Sequence, residues 1–181
     1  MEIADTLDFL LGRWEIVRFL TDHANERTGV FRGTVEVSFH PGTADDVSYR
    51  EVGLLRLGTQ LSKAQRSLAC RRAPRGAVTT FLPAGDPFIE LDLTSGSCDA
   101  EHRCGDDLYR LAFYLLSPDC IEESWQVSGP TKAYEASATL TRLPRVSVRD
   151  PHGPPKKVRR RPFGRALGSR SAPERGGCGD G

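Results

Sequence analysis

Thr28-Gly29-Val30-Phe31-Arg32-Gly33-Thr34-Val35-Glu36-Val37-Ser38-Phe39 is the stretch that decides the fold. In its second half Val35, Val37 and Phe39 alternate with Thr34, Glu36 and Ser38. A period of two sends successive side chains to opposite faces of an extended chain, so this strand has one buried face and one wet face. Pro41-Gly42 breaks it. Working outward, the same grammar recurs on both sides. Upstream, Trp14–Leu20 is extended and is followed by the polar turn His23-Ala24-Asn25-Glu26-Arg27. Downstream lie Val47–Leu57, Gln60–Arg71, Ala77–Leu82, Phe88–Leu93, Asp99–Cys104, Asp107–Leu116, Ile121–Val127 and Lys132–Arg142. Turn formers such as Pro74-Arg75-Gly76, Ala84-Gly85-Asp86, Ser95-Gly96 and Gly129-Pro130 separate most of them. About ten short strands with no helical spacer predict an all-β, antiparallel sandwich or barrel. A closed up-and-down barrel is expected, because closure leaves no unpaired strand edge. Ahead of the first strand, Ile3, Leu7, Leu10 and Leu11 share one face of a short N-terminal helix that Gly12 ends.

The alternation stops at Leu143. Residues 144–181 are rich in Pro, Gly, Arg and Ser, with few large apolar side chains, and cannot bury enough surface to offset the entropy of ordering. The sequence therefore divides the 181 residues into a barrel domain, 1–143, and a disordered basic tail, 144–181. The formal net charge of +1 conceals that division. The tail holds ten Lys or Arg against three acidic residues, which leaves 15 basic and 21 acidic residues in the body. An acidic body has no electrostatic reason to hold nucleic acid. Pro155-Lys156-Lys157-Val158-Arg159-Arg160-Arg161 leaves a weak nucleic-acid contact open through the tail, beside the plainer reading of a solvated charged segment. No apolar run approaches the roughly 18 residues that cross a bilayer, so no membrane partner is expected. The start, Met1-Glu2-Ile3-Ala4-Asp5, lacks the features of a secretory signal. With an odd count of five cysteines, it points to reduced thiols and a cytoplasmic protein.

Both ends of the predicted domain carry a resemblance. Gly12-Arg13-Trp14 after a short helix, and Arg142 closing the last strand, are similar to features of the calycins, the lipocalin-like barrels. In those proteins the arginine packs over the tryptophan and shuts one barrel end. A second resemblance is closer. His102-Arg103-Cys104-Gly105-Asp106-Asp107-Leu108-Tyr109, Trp125-Gln126-Val127-Ser128-Gly129-Pro130-Thr131-Lys132 and Tyr49-Arg50-Glu51-Val52-Gly53 look like signatures of a bacterial calycin-like family. It is known as a domain of unknown function, number six-three-one-four. The resemblance implies a calycin-like β-barrel over residues 7–142 and no particular activity. Two positions depart from the family pattern: Ile89 stands where a histidine is usual, and Ala133 where an acidic residue is usual.

Alternation also selects residues that could carry chemistry. Arg18 shares a strand face with Trp14 and Ile16, Glu51 with Tyr49 and Leu55, and Glu123 with Ile121 and Trp125. If those faces point inward, three charges enter the barrel, where they must pair as a structural cluster or line a pocket. His102 and Cys104 sit two apart on one strand, near Cys98. Zinc needs three or four ligands, and no Cys-x-x-Cys pair is present, so no metal is expected. A haem on His102 is an option that the calycin resemblance implies, but no cofactor is expected. A Cys–His nucleophile pair would require contact that neighbouring positions do not ensure. Tyr109 and Lys132 would place a phenol and an ammonium at a barrel mouth, as an anion site, as acid and base, or as a tied-down turn beside a surface lysine.

The first functional reading is a barrel that binds a small, partly apolar molecule, with Arg18, Glu51, His102, Tyr109, Trp125 and Lys132 as ligand-binding residues. The second is an enzyme of cyclase or isomerase type, acting by confinement and acid–base catalysis. The third is a protein-interaction domain with a basic tail. The sequence leaves open whether the barrel is catalytic. It does make a geometric prediction: His102, Tyr109 and at least one of Arg18 and Glu51 converge on one interior pocket, helped by the bend that Gly105 permits.

Overall fold

The computed structural model describes residues 1–40 and 46–144. The Pro41-Gly42 break and the basic segment, apart from Pro144, lie outside the described residues. Among the described residues ten strands form one sheet: β1 (Gly12–Asp22), β2 (Arg27–Phe39), β3 (Val47–Leu57), β4 (Gln60–Arg72), β5 (Val78–Phe81), β6 (Pro87–Leu91), β7 (Ser97–Cys104), β8 (Asp107–Ser117), β9 (Cys120–Ser128) and β10 (Ala133–Arg142). They hydrogen-bond in the order β6-β5-β4-β3-β2-β1-β10-β9-β8-β7. The first and last strands are thus neighbours, antiparallel from Trp14 opposite Arg142 to Asp22 opposite Tyr134.

The predicted helix is shorter than its apolar spacing suggests. α1 spans Thr6–Leu10, with Asp5 at its N-cap accepting from the Asp8 N–H at 2.9 Å. Satisfying that N–H fixes the helix start and leaves Ile3 outside it. Ile3 instead donates its N–H to the Thr94 carbonyl at 3.0 Å. The helix covers one barrel end. Leu7 is fully buried, the Thr6 hydroxyl accepts from the Leu93 N–H at 3.0 Å, and Arg72 bridges Asp5 and Asp8. At the same end Trp14 is fully buried, and the Arg142 guanidinium lies 3.9 Å from the centre of its ring. Arg142 also donates to the carbonyls of Leu11 and Phe9 at 3.1 and 2.7 Å. The closure that the calycin resemblance implies is therefore built here from Trp14, Arg142 and the helix.

Closure of the sheet is incomplete, against the expectation of a barrel without edges. β6 and β7 lie beside each other but exchange no ladder. The cause is strand length. β4 has 13 residues, but β5 has four and pairs only with Ala69–Arg72. Gln60–Leu68 consequently has a partner strand on the β3 side alone. β7 likewise pairs with β8 alone. A window remains between the upper parts of β4 and β7, and side chains must fill it.

Two local devices shape the interior. Gly33 and Gly53 face each other across β2 and β3. A Cβ on either would come within 2.9 Å of the opposite backbone and of the Phe31 ring. The pair lets that ring lie flat across the strands. The second device is a bulge between β5 and β6. Glu90 opposes Thr79 and Pro87 opposes Phe81, so Phe88 and Ile89 together face Thr80. The buried Thr80 hydroxyl donates to the Ile89 carbonyl at 3.1 Å and accepts from its N–H at 3.3 Å, which holds the extra residue in place.

Candidate functional site

Side chains on inward-facing strand positions meet in two layers. The deeper one is ionic. Arg18 on β1 reaches Glu51 on β3 and Glu123 on β9, each at 2.5 Å. Arg66 on β4 donates to Glu51 at 2.9 Å, and the Tyr49 hydroxyl donates to the same carboxylate oxygen at 3.1 Å. Glu51 and Glu123 are 3% and 5% exposed, so both rank as buried charges. Such groups persist only when paired on all sides, and here two guanidinium and two carboxylate groups balance. Burial would raise the Glu51 pKa, but the charges of Arg66 and Arg18 outweigh it and hold the carboxyl below its usual range. Burial would likewise lower the pKa of Arg18, yet Glu123 and Glu51 keep it above the ordinary value. Burial pushes the Tyr49 phenol up, so it stays a donor.

The outer layer fills the window. A cavity of about 610 Å³ opens there, walled by Gln65, Arg66, Phe88, His102, Tyr109 and Trp125 among others. Aromatic contacts make up much of its wall. Phe88 stacks on Trp125 with ring centres 5.9 Å apart, and the His102 ring meets Phe88 edge-on at 4.8 Å. His102 and Tyr109 are register partners on β7 and β8, with ring centres 5.9 Å apart. The Arg66 guanidinium covers Trp125 at 4.7 Å. Behind this plate is a second, much smaller space of about 60 Å³ in the barrel interior, and Arg66, Leu68, Phe88 and Trp125 belong to both walls. Two donors on the shared wall, Arg66 Nε and Trp125 Nε1, are buried and reach no acceptor in the protein.

The structure brings His102, Tyr109 and Trp125 together in the mouth cavity. Arg18 and Glu51 do point inward and pair, but they lie beneath the cavity and not on its wall. Arg66 links the layers, since it lines the cavity and also binds Glu51. Lys132 stands just before β10 at the rim. It donates to Asp107 at 2.6 Å and to the Tyr109 hydroxyl at 3.1 Å. The Asp107 bond, followed by that to Tyr109, raises the Lys132 pKa, so it remains an ammonium that positions Tyr109 and is a poor base. Cys104 is exposed on the cavity wall, whereas Cys98 is half-buried and its Sγ accepts from the Asp92 backbone N–H at 3.4 Å. Among the described residues no group of three or more His, Cys, Asp and Glu is placed to hold a metal ion.

Two contributors escaped the sequence reading. Arg66 was open to discovery, because it alternates in step with Leu68 and Cys70, both buried. Phe88 was not: strict alternation sets it opposite Ile89 and Leu91, and the bulge turns it inward.

These observations define a nearly closed ten-strand β-barrel, sealed by a Trp–Arg pair at one end and holding a ring-walled cavity in its unpaired seam. The chain belongs to the Family of unknown function (DUF6314), which matches residues 10–142. No curated protein matches it in sequence. Among solved structures it resembles the S-type phycobiliprotein lyase of Guillardia theta, with a TM-score of 0.56 and 10% identity over 80% of this chain and 94% of that one. It also resembles a DUF3598-family protein of unknown function from Nostoc punctiforme, with a TM-score of 0.51 and 12% identity over 76% of this chain. This chain spans about half of that protein, 49%. A de novo designed fluorescence-activating β-barrel aligns at a TM-score of 0.40 and 17% identity over 78% of this chain. At such identities the likeness to the two natural proteins is one of fold.

Proposed function

We propose that this protein binds a small, flat, largely apolar molecule in the mouth cavity. One observation carries the reading: a cavity of about 610 Å³ whose wall joins Phe88, His102, Tyr109 and Trp125 to a single guanidinium, Arg66. Ligand pockets of roughly 300–1,000 Å³ lined by apolar rings and a few placed polar groups are the common form. The rings supply stacking surface, and each aromatic contact contributes roughly 0.5–1.5 kcal/mol beyond area burial. Glu51 serves the site from below by holding Arg66, Arg18 helps fix Glu51, and Lys132 serves the site from the rim by holding Tyr109. The barrel end opposite the window is sealed by Trp14 and Arg142, so the entry route is the seam.

The test is titration of the purified full chain with 1-aminoanthracene, an uncharged flat fluorophore. Saturable enhancement at 1:1 stoichiometry is expected. His102→Ala should weaken it about threefold to tenfold while the melting temperature moves by no more than about 3 °C, because a cavity-lining ring contributes to binding more than to folding. A large loss of stability with unchanged affinity per folded molecule would assign His102 to structure instead and sink the reading.

A further inference from the structure

The corner formed by Arg66 and Trp125 specifies more than a flat ligand. We infer, resting on the cavity reading above, that the ligand is an uncharged conjugated ring bearing a hydrogen-bond acceptor, such as a ring carbonyl, which is read by the N–H groups of Trp125 and Arg66. Three observations lead there. The first is donor supply. Trp125 Nε1 and Arg66 Nε are both buried, both belong to residues that wall the cavity, and neither meets an acceptor in the protein. An indole can only donate, and a guanidinium can only donate. A ligand that satisfies this corner must accept.

The second observation is charge. Arg66 is matched by Glu51, Arg18 by Glu51 and Glu123, and Lys132 by Asp107. Each of these fixed charges beside or beneath the cavity already faces an opposite charge. A carboxylate ligand would arrive without a free counter-charge and would have to compete with Glu51 for Arg66. A neutral acceptor needs only an N–H. Uncompensated charge in such a site is disfavoured, whereas a neutral acceptor on a waiting donor is favoured.

The third observation is shape. Phe88 and Trp125 stack at 5.9 Å, and Arg66 lies over the indole at 4.7 Å. The layered stack favours flat partners. Both N–H groups are buried, so an acceptor meets them only when the wall that holds Trp125 and Arg66 shifts. Ligand entry therefore alters the indole environment, and Trp125 should report it. Trp14, whose Nε1 already donates to the Leu10 carbonyl at 2.9 Å, sits at the sealed end and should stay silent.

Three probes with one ring system separate the terms: 2-acetylnaphthalene with a neutral acceptor, 2-ethylnaphthalene with none, and 2-naphthoate with a charged one. Each is titrated into the full chain by calorimetry, alongside tryptophan fluorescence. 2-Acetylnaphthalene should bind at least about tenfold tighter than 2-ethylnaphthalene, the factor expected for one hydrogen bond to a buried donor. 2-Naphthoate should bind no tighter than the ketone. In Trp125→Phe the advantage of the ketone over the ethyl compound should fall below about threefold; taking the ratio within the variant separates the lost N–H from the lost ring surface, which weakens both compounds alike. The fluorescence change on binding should vanish in the same variant. Equal binding of ketone and ethyl compound by the unaltered chain, or tightest binding by the naphthoate, would overturn this inference and leave the cavity reading standing. Binding of none of the three would overturn both.

Discussion

Glu51 accepts hydrogen bonds from Arg18, Arg66 and Tyr49, and its folded-state pKa lies below the ordinary 4.5. A carboxyl whose folded pKa is depressed contributes stability that is fully present above its unfolded pKa and is lost as pH falls through the folded value. The barrel should therefore weaken in acid below about pH 4.5, the ordinary value. Glu51→Gln should flatten that acid limb, and at neutral pH it should destabilise by roughly 3–5 kcal/mol, because it leaves Arg66 and Arg18 short of a counter-charge. Denaturant melts of both proteins from pH 3 to 7 check this; an acid limb of unchanged steepness in Glu51→Gln would locate the acid sensitivity elsewhere. At the sealed end, Trp14→Ala should cost roughly 3–5 kcal/mol as a buried aromatic truncation. Arg142→Ala should cost less, and a double-mutant cycle should show coupling of at least about 0.5 kcal/mol, since the two groups are in contact. Strict additivity would mean that the stacked guanidinium does not hold the indole. Residue by residue, the ionic layer was legible in part. Period-two alternation placed Arg18, Glu51 and Glu123 inward, and the cost of burial then required them to meet. What alternation could not give was which charge would also reach the cavity, because that depends on where β4 loses its neighbour.

Strands were the easiest elements to read, since alternation and turn chemistry are both local. Val47–Leu57 has the same bounds in sequence and structure, and the other strands differ by one or two residues at their ends, where assignments are least firm. The seam and the bulge were not legible. Both arise from pairing between segments, and one inserted residue reverses every inward and outward assignment beyond it. The glycine pair belongs to this scale as well. Gly33 and Gly53 let β2 and β3 bring Phe31 over the strand backbone, where its ring also meets Arg18 at 5.7 Å. Gly53→Ala should destabilise by roughly 1–3 kcal/mol through overpacking against backbone that cannot shift without breaking the ladder. Gly58→Ala is the contrast: nothing lies within 4 Å of a Cβ there, but its φ of +58° disfavours a side chain. Its cost should be only about 1 kcal/mol, from the backbone alone. Chemical denaturation of the two variants separates the effects. Equal costs at both positions would show that the Phe31 crossing does not constrain the core.

At the scale of the whole chain, the question is where folding stops depending on sequence. Among the described residues, the last backbone anchors are the Arg142 N–H to the Asp119 carbonyl and the Leu143 N–H to the Arg13 carbonyl, each at 2.8 Å. Pro144 is exposed. The family match also ends at residue 142. Beyond Pro144 the sequence offers no periodic apolar face, only a basic, Pro- and Gly-rich composition, so no contribution to barrel burial is expected from it. The remaining way for it to matter is charge, because the segment 144–181 carries ten basic and three acidic residues against an acidic body. Exposed ion pairs are worth only about 0–1 kcal/mol each and weaken with salt. A chain ending at Pro144 should thus keep its fold, its 1-aminoanthracene site and most of its stability. Thermal melts of the full chain and of residues 1–144 should agree within roughly 8 °C, about 2 kcal/mol for a domain of this size. A larger gap that closes at 0.5 M salt would reveal electrostatic docking of the tail on the body. A larger gap that persists in salt would mean that residues beyond Pro144 are part of the folded core, and the domain boundary drawn from the sequence would fall.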